Sequence, residues 1–326
     1  MKFLQSLLLS FLIHLGYSQQ YTLSGYVKDA NSGEGLIGVS VFVEELGQGT
    51  TTNVYGFYSL TLNQGNYNVK YSYVGYRDLF KDVSLKSNVR MNIDLMESDD
   101  LLQEVVIEAE QSDENTKGTQ MGKIDLNMDK IKTIPAFMGE VDVLKTIQFL
   151  PGVQSGGEGN TGFYVRGGGP DQNLILLDEA TVYNASHLFG FFSVFNADAI
   201  KNVSLTKGGM PANYGGRLAS VLDITMKDGN YKSFHADGGV GLIASRLTLQ
   251  GPIKEDTASF ILSGRRTYID VLTRPLIPDT SAFSGSGYFF YDLTAKLNWR
   301  LSDKDRLFLS GYFGRDVFSF NNSDLD

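Results

Sequence analysis

The sequence predicts a mixed, strand-rich chain: an N-terminal all-β sandwich of prealbumin or immunoglobulin-like type, an α+β middle unit, and the first antiparallel strands of a transmembrane β-barrel. Three observations predict it. Short apolar runs recur between turn signals over residues 20–96, the spacing of a small sandwich. Glycine supplies 36 of 326 residues, about 11 % against a usual ~7 %, beside 21 phenylalanines and 17 tyrosines, a composition of tight turns and aromatic-rich strands. Residues 289–301 alternate without a slip between an apolar and a polar face, far beyond the modal strand of about 5–6 residues.

Composition narrows the function classes. Hydrophobic residues at 42 % and charged residues at 20 % exclude wholesale disorder. A net charge of −9 disfavours a nucleic-acid partner. The absence of cysteine rules out disulfides, thiolate metal sites and a lipid-anchored N-terminal cysteine. Lys2, an apolar run from Phe3 to Leu15 and the small residues Gly16 and Ser18 read as a secretory signal peptide over 1–18, cut after Ser18. The run is shorter than the ~20 residues of a spanning helix and is interrupted by Gln5 and His14.

Within 20–96, strands are expected at Tyr21–Lys28, Val39–Glu44, Phe57–Leu62, Tyr67–Val74 and Val89–Leu95. Asn31-Ser32-Gly33, residues 46–49, residues 63–66 and Val74-Gly75-Tyr76 are the turns between them. Residues 97–118 change character: eight acids, from Glu97 to Glu114, precede Lys117. Such a run should be solvated and extended. It carries one apolar tripeptide, Val105-Val106-Ile107, which is either a strand closing the sandwich or an exposed strand available to another protein's sheet edge.

The middle unit, 119–229, mixes periods. Residues 140–150 place apolar side chains at 141, 144 and 147, a short amphipathic helix stopped by Pro151-Gly152. Phe163–Arg166, Leu174–Asp178, Val203–Lys207 and Val221–Met226 read as strands, and Asn196 as the N-cap of a helical turn. From 230 onward four or five long strands follow. In 289–301 one face is Phe289, Tyr291, Leu293, Ala295, Leu297, Trp299 and Leu301, and the other is Phe290, Asp292, Thr294, Lys296, Asn298 and Arg300. That pattern suits a lipid-facing apolar side and an inner polar side that is wet or faces the middle unit, so Thr294→Arg or Lys296→Glu is expected to be tolerated far better than Ala295→Arg. Residues 251–257 and 302–305 are short turns and 269–287 a long loop. Residues 234–250 are expected to break into two strands near Gly238-Gly239. Four or five strands would leave an open sheet edge whose unpaired backbone groups lipid cannot satisfy, so the chain reads as ending within its barrel.

Several segments carry a family resemblance. Leu150-Pro151-Gly152-Val153, Val165-Arg166-Gly167-Gly168, the strand ending Leu177-Asp178, Lys207-Gly208-Gly209-Met210-Pro211 and Tyr214-Gly215-Gly216-Arg217 together resemble the plug domain of TonB-dependent outer-membrane receptors. Gly25-Tyr26-Val27-Lys28-Asp29, Gly35-Leu36-Ile37-Gly38-Val39 and residues 53–60 resemble the carboxypeptidase regulatory-like domain that precedes the plug in many Bacteroidetes receptors. The resemblance implies an outer-membrane importer with a periplasmic N-terminal domain, energised by TonB and its inner-membrane complex, and needing no cofactor. Glu104, Val105, Val106, Ile107 and Glu108, followed by Ala109, look like a TonB box. Arg166 and Arg217 would pair with acids on the inner barrel wall, against the plain reading of two surface arginines. The aromatic loop 183–192 packs the plug core or faces the ligand vestibule, with Asn184 and His187 as polar contacts. Alternatives are a signalling receptor whose N-terminal domain meets a periplasmic regulator, and a soluble or surface binding protein.

A catalytic reading finds little. His14, His187 and His235 have no second ligand at metal spacing. Gly157-Glu158-Gly159-Asn160-Thr161-Gly162 matches a dinucleotide fingerprint but precedes a strand instead of opening a helix. No nucleophile elbow is present.

Overall fold

A computed structural model describes residues 19–98, 122–128, 131, 140–157, 160–273, 275, 286–302 and 305–319. The expected leader 1–18 and the expected box at 104–109 lie outside the described residues. The chain divides into two compact units, Met1–Gln103 and Glu104–Asp326.

The first unit has eight strands: β1 (Gln20–Asp29), β2 (Ser40–Val43), β3 (Gln48–Thr51), β4 (Phe57–Asn63), β5 (Gly65–Ser72), β6 (Leu79–Leu85), β7 (Val89–Arg90) and β8 (Ile93–Leu95). One sheet sets β4 and the β7/β8 strip on either side of β1, and the other runs β3-β2-β5-β6. Alternate residues of each sheet meet in one core of Leu23, Val27, Val41, Val43, Tyr58, Leu60, Val69, Tyr71, Leu85, Ile93 and Leu95. Inside it the Tyr58 hydroxyl donates to the Met91 carbonyl at 2.9 Å and stands 2.9 Å from the Tyr71 hydroxyl, so neither buried phenol is left unpaired.

Two departures from the expected antiparallel pattern have local causes. β7 and β8 run parallel to β1, and at the gaps in that ladder Asn88 and Asn92 side chains accept from the N–H groups of Thr22 and Tyr26. The structure also adds β3, inside the stretch whose glycines read as a turn, and β6, whose exposed middle hides its period. Gly25 sits where β1 meets the residues between β7 and β8, and a Cβ there would overlap the Met91 carbonyl oxygen. Gly25→Ala should therefore lower the melting temperature of segment 19–98, expressed alone and followed by circular dichroism. That segment should itself melt cooperatively with a β-type spectrum. An unchanged melt would mean the β1 crossing is looser than described.

The second unit opens on a mixed five-stranded sheet, order β13-β12-β17-β16-β9. Its members are β9 (Lys123–Asn127), β12 (Asn173–Leu177), β13 (Ala180–Thr181), β16 (Ile200–Lys207) and β17 (Ser220–Met226), with hairpins β10 (Val153–Ser155)/β11 (Phe163–Val165) and β14 (Ser186–His187)/β15 (Phe192–Ser193) beside it. Helix α1 (Val143–Ile147) is shorter than the expected 140–150, because the Asp142 side chain caps it by accepting from Lys145 N–H. Its Val143, Leu144 and Ile147 join Val203, Leu205, Leu222, Ile224 and Met226 in the core. Asn196 caps the turn Ala197–Ala199, as expected.

Five strands complete the unit as an antiparallel meander in chain order: β18 (His235–Val240), β19 (Ala244–Lys254), β20 (Ala258–Thr267), β21 (Gly287–Arg300) and β22 (Arg306–Ser319). The short helix α2 (Ile269–Thr273) begins the long β20–β21 connection. The break expected at Gly238-Gly239 falls at 241–243 instead. Both glycines stay in the ladder opposite Leu247 and Arg246, and the bare α-carbon of Gly239 lets the Arg246 guanidinium lie against it. The two faces of β21 and β22 differ sharply. Leu293, Leu297, Trp299, Leu307, Leu309 and Phe313 are exposed on one, while Asp292, Thr294, Lys296 and Asn298 are at most 4 % exposed on the other. Among the described residues no helix is long and apolar enough to cross a membrane.

Candidate functional site

The buried polar face of the meander is covered by the middle unit, and the seam between them concentrates charge. The first cluster forms around His187 at the end of β14. Its Nε2 lies 2.6 Å from Asp292 Oδ1 on β21 and its Nδ1 2.8 Å from Asp316 Oδ2 on β22. The ring stacks on Phe290 with centroids 4.1 Å apart. Asp292 Oδ2 also accepts from Arg265 Nε at 2.9 Å and Nη2 at 2.6 Å, and the same Nη2 donates to the Ser193 carbonyl at 2.7 Å. Tyr312 donates to Asp292 Oδ1 at 2.7 Å. Leu188 N–H donates to the Tyr288 hydroxyl, which donates in turn to Asp316.

The second cluster centres on Lys296 of β21, whose Nζ lies 3.1 Å from Asp178 Oδ2 and 3.0 Å from Asp228 Oδ1 and donates to the Met226 carbonyl. Asp178 follows β12 with φ of 45°, a left-handed conformation that Asp tolerates better than most residues. Its Oδ1 accepts from Met226 N–H at 2.8 Å. Lys201 stands 3.6 Å from Asp228 Oδ2, and the Asp228 carbonyl accepts from Ser259 Oγ at 2.6 Å. A third, looser group joins Arg246 to Asp198 at 2.7 Å and brings Glu140 within 3.8 Å of Arg265.

The electrostatics follow from burial against pairing. Burial alone would raise the Asp228 carboxyl, and Lys201, Lys296 and Arg306 outweigh it, holding it at about 2. This favours folding at any pH above the ordinary carboxyl range and is lost only as pH falls through that value. Burial opposes the His187 cation, yet hydrogen bonds and charge from Asp292 and Asp316 hold its pKa above the usual imidazole value. Burial lifts Glu140 above the usual carboxyl range despite Arg265 and Arg246.

The residues singled out in the sequence are distributed unevenly over this seam. His187 lies inside it and is 3 % exposed, while Asn184 is exposed and its Oδ1 accepts a long 3.4 Å bond from Ser186 N–H. Arg217 is half-buried and donates to the Gly216 carbonyl at 3.0 Å. Arg166 has φ of 51°, and its guanidinium lies against Gly208. Neither arginine forms an ion pair among the described residues. At the clusters centred on His187 and Lys296 the meander contributes both signs, Asp292 and Asp316 as well as Arg265 and Lys296.

The inner face of β21 meets the middle unit, one of the two settings expected for it, but the expected tolerance at 296 does not hold: Lys296→Glu would set a third carboxylate against Asp178 and Asp228. Sequence reasoning alone misses Lys296, Asp228, Asp292 and Arg265 as site residues. The available signal was the pair Asp292 and Lys296 on one face of a membrane-length strand, since charges there need partners.

Comparison with known proteins follows the same division. Residues 23–107 match the family model of the CarboxypepD_reg-like domain, and residues 131–221 match that of the TonB-dependent Receptor Plug Domain. The first match runs through Ile107, over the apolar tripeptide that the sequence left between two readings. No curated protein matches the chain. Solved structures similar to it include the siderophore receptor PirA from Pseudomonas aeruginosa, at 21 % identity over 61 % of this chain and 34 % of that one, with a TM-score of 0.43. PirA from Acinetobacter baumannii gives 20 % identity, 67 % and 34 % coverage and a TM-score of 0.44. The outer membrane transporter YddB from Escherichia coli gives 17 % identity, 62 % and 34 % coverage and a TM-score of 0.45. The chain spans about a third of the length of these solved proteins.

Proposed function

We propose, for a chain that carries a CarboxypepD_reg-like domain followed by a TonB-dependent receptor plug domain, that it belongs to an outer-membrane receptor importing an extracellular ligand with energy delivered by TonB. In this reading the sandwich is periplasmic, the meander faces lipid with its apolar side, and the plug sits against the meander's inner side. The observation that carries it is the division of β21: exposed Leu293, Leu297 and Trp299 on one face, and Asp292 and Lys296 bound to the plug on the other. A soluble sandwich would cover the first face.

The mechanism proceeds by strand pairing. Residues 104–108 add as a strand to TonB, whose affinity comes from backbone hydrogen bonds, while the flanking acids favour a basic surface. Pulling on that strand displaces the plug, and the ionic seam gives way to water more readily than an apolar interface would, because its charges regain hydration. Proline at 106 removes a backbone donor and resists pairing. Val106→Pro in the full-length protein should abolish energised uptake of labelled ligand by whole cells while leaving ligand binding intact. Unchanged uptake would place the TonB contact elsewhere and favour Val105–Ile107 as a closing strand of the sandwich.

A further inference from the structure

His187 is held in a way only one protonation state satisfies. An ionised carboxylate only accepts hydrogen bonds, and a neutral imidazole has one N–H and one lone pair. Both His187 nitrogens face carboxylate oxygens, at 2.6 and 2.8 Å, the range of charge-assisted bonds. Asp292 also accepts from Arg265 and the Tyr312 hydroxyl, and Asp316 accepts from Tyr288. With His187 protonated, the group His187, Arg265, Asp292 and Asp316 sums to zero charge. Without that proton a ring lone pair faces a carboxylate, and a net negative charge is stranded in the seam.

We infer that His187 is a protonation-gated latch, clamping the 183–192 loop of the plug across β21 and β22 as an imidazolium and releasing it at Asp316 when the proton is lost. Release falls on that side because Asp292 keeps Arg265 and Tyr312, whereas the Asp316 side chain is 40 % exposed and can be rehydrated in place. The latch also restrains strain. Leu188 and Phe189 have φ of 48° and 53°, left-handed values that non-glycine residues rarely adopt. Leu188 N–H is tied to Tyr288, on the Asp316 side of the clamp. Phe189, 93 % exposed, would move when that tie is loosened.

The sign is fixed by the geometry. The contact is at full strength below the ordinary imidazole pKa of about 6.5 and is lost as pH rises through the higher value the two aspartates impose. The facing groups are Tyr288 and Asp292 on β21, Tyr312 and Asp316 on β22 and Arg265 on β20, with Glu140 reaching Arg265 from the chain before α1.

None of these 326 residues is a cysteine, so Phe189→Cys, with any cysteine outside them replaced by serine, gives a single attachment point at an exposed position. A nitroxide there, in the full-length protein, should pass from a restricted to a more mobile spectrum in one transition with its midpoint above about 6.5. His187→Gln should be mobile throughout, and Asp316→Asn should move the midpoint down. A spectrum that does not change with pH in the otherwise native protein overturns the latch. So does a transition that survives in His187→Gln, which would pass to Glu140, or a midpoint unmoved by Asp316→Asn. None of these readouts depends on uptake, so their failure leaves the import reading standing and its failure leaves them standing.

Discussion

Lys296→Met is expected to destabilise the full-length protein by about 3–5 kcal/mol, the cost of leaving buried charges without their partner. Lys296 is 4 % exposed, and its ammonium lies within 3.1 Å of both Asp178 and Asp228. Methionine fills nearly the same volume, so the loss is electrostatic and not a cavity. Lys201, 3.6 Å from Asp228, can relieve that carboxylate in part, whereas Asp178 keeps only the Met226 N–H. Adding Asp178→Asn to Lys296→Met should therefore recover part of the loss, because the orphaned charge goes with it. Chemical unfolding of the three variants measures both quantities. A loss below about 1 kcal/mol, with no recovery in the double variant, would mean that water already reaches the cluster.

The neighbouring position should fail for the opposite reason. Ala295 lies between exposed Leu293 and Leu297 on the outer face of β21. If that face meets lipid, Ala295→Arg should cost ~2–4 kcal/mol near mid-membrane and depress membrane yield, while Ala295→Leu should be neutral. Position 295 cannot accept a charge and position 296 cannot lose one, a contrast that only a strand with lipid on one side and a paired interior on the other produces. Equal yields for Ala295→Arg and Ala295→Leu would withdraw the lipid-facing assignment.

Local pattern made much of this fold legible. The alternation from Phe289 to Leu301 foretold which face of β21 is buried, and Asn196 declared its cap before the turn it caps was known. What stayed hidden is non-local. Nothing near Val89 or Ile93 announces parallel pairing with β1, because the same period of two serves either direction. Gly238 and Gly239 read as a break, yet both stay in the ladder, and the missing side chain of Gly239 makes room for an arginine from the next strand. The seam was half visible. His187 was picked out as a polar residue in an aromatic loop, but its partners Asp292 and Asp316 lie more than a hundred positions away, beyond the reach of any spacing argument.

The passage from plug to meander has a consequence for how far anything could travel. Residues 228–231 are buried, and Gly229, with φ of 83°, lies so close to the Phe260 carbonyl that a side chain there would collide with it. Even stripped of those contacts, the chain between Met226 and His235 would extend only about 30 Å, roughly one hydrocarbon thickness. On the import reading, the plug works on a short leash fastened at its rear. A ligand would have to slip past a tethered body that swings or partly unravels from its front end, since wholesale ejection would first have to unzip β18 from the wall.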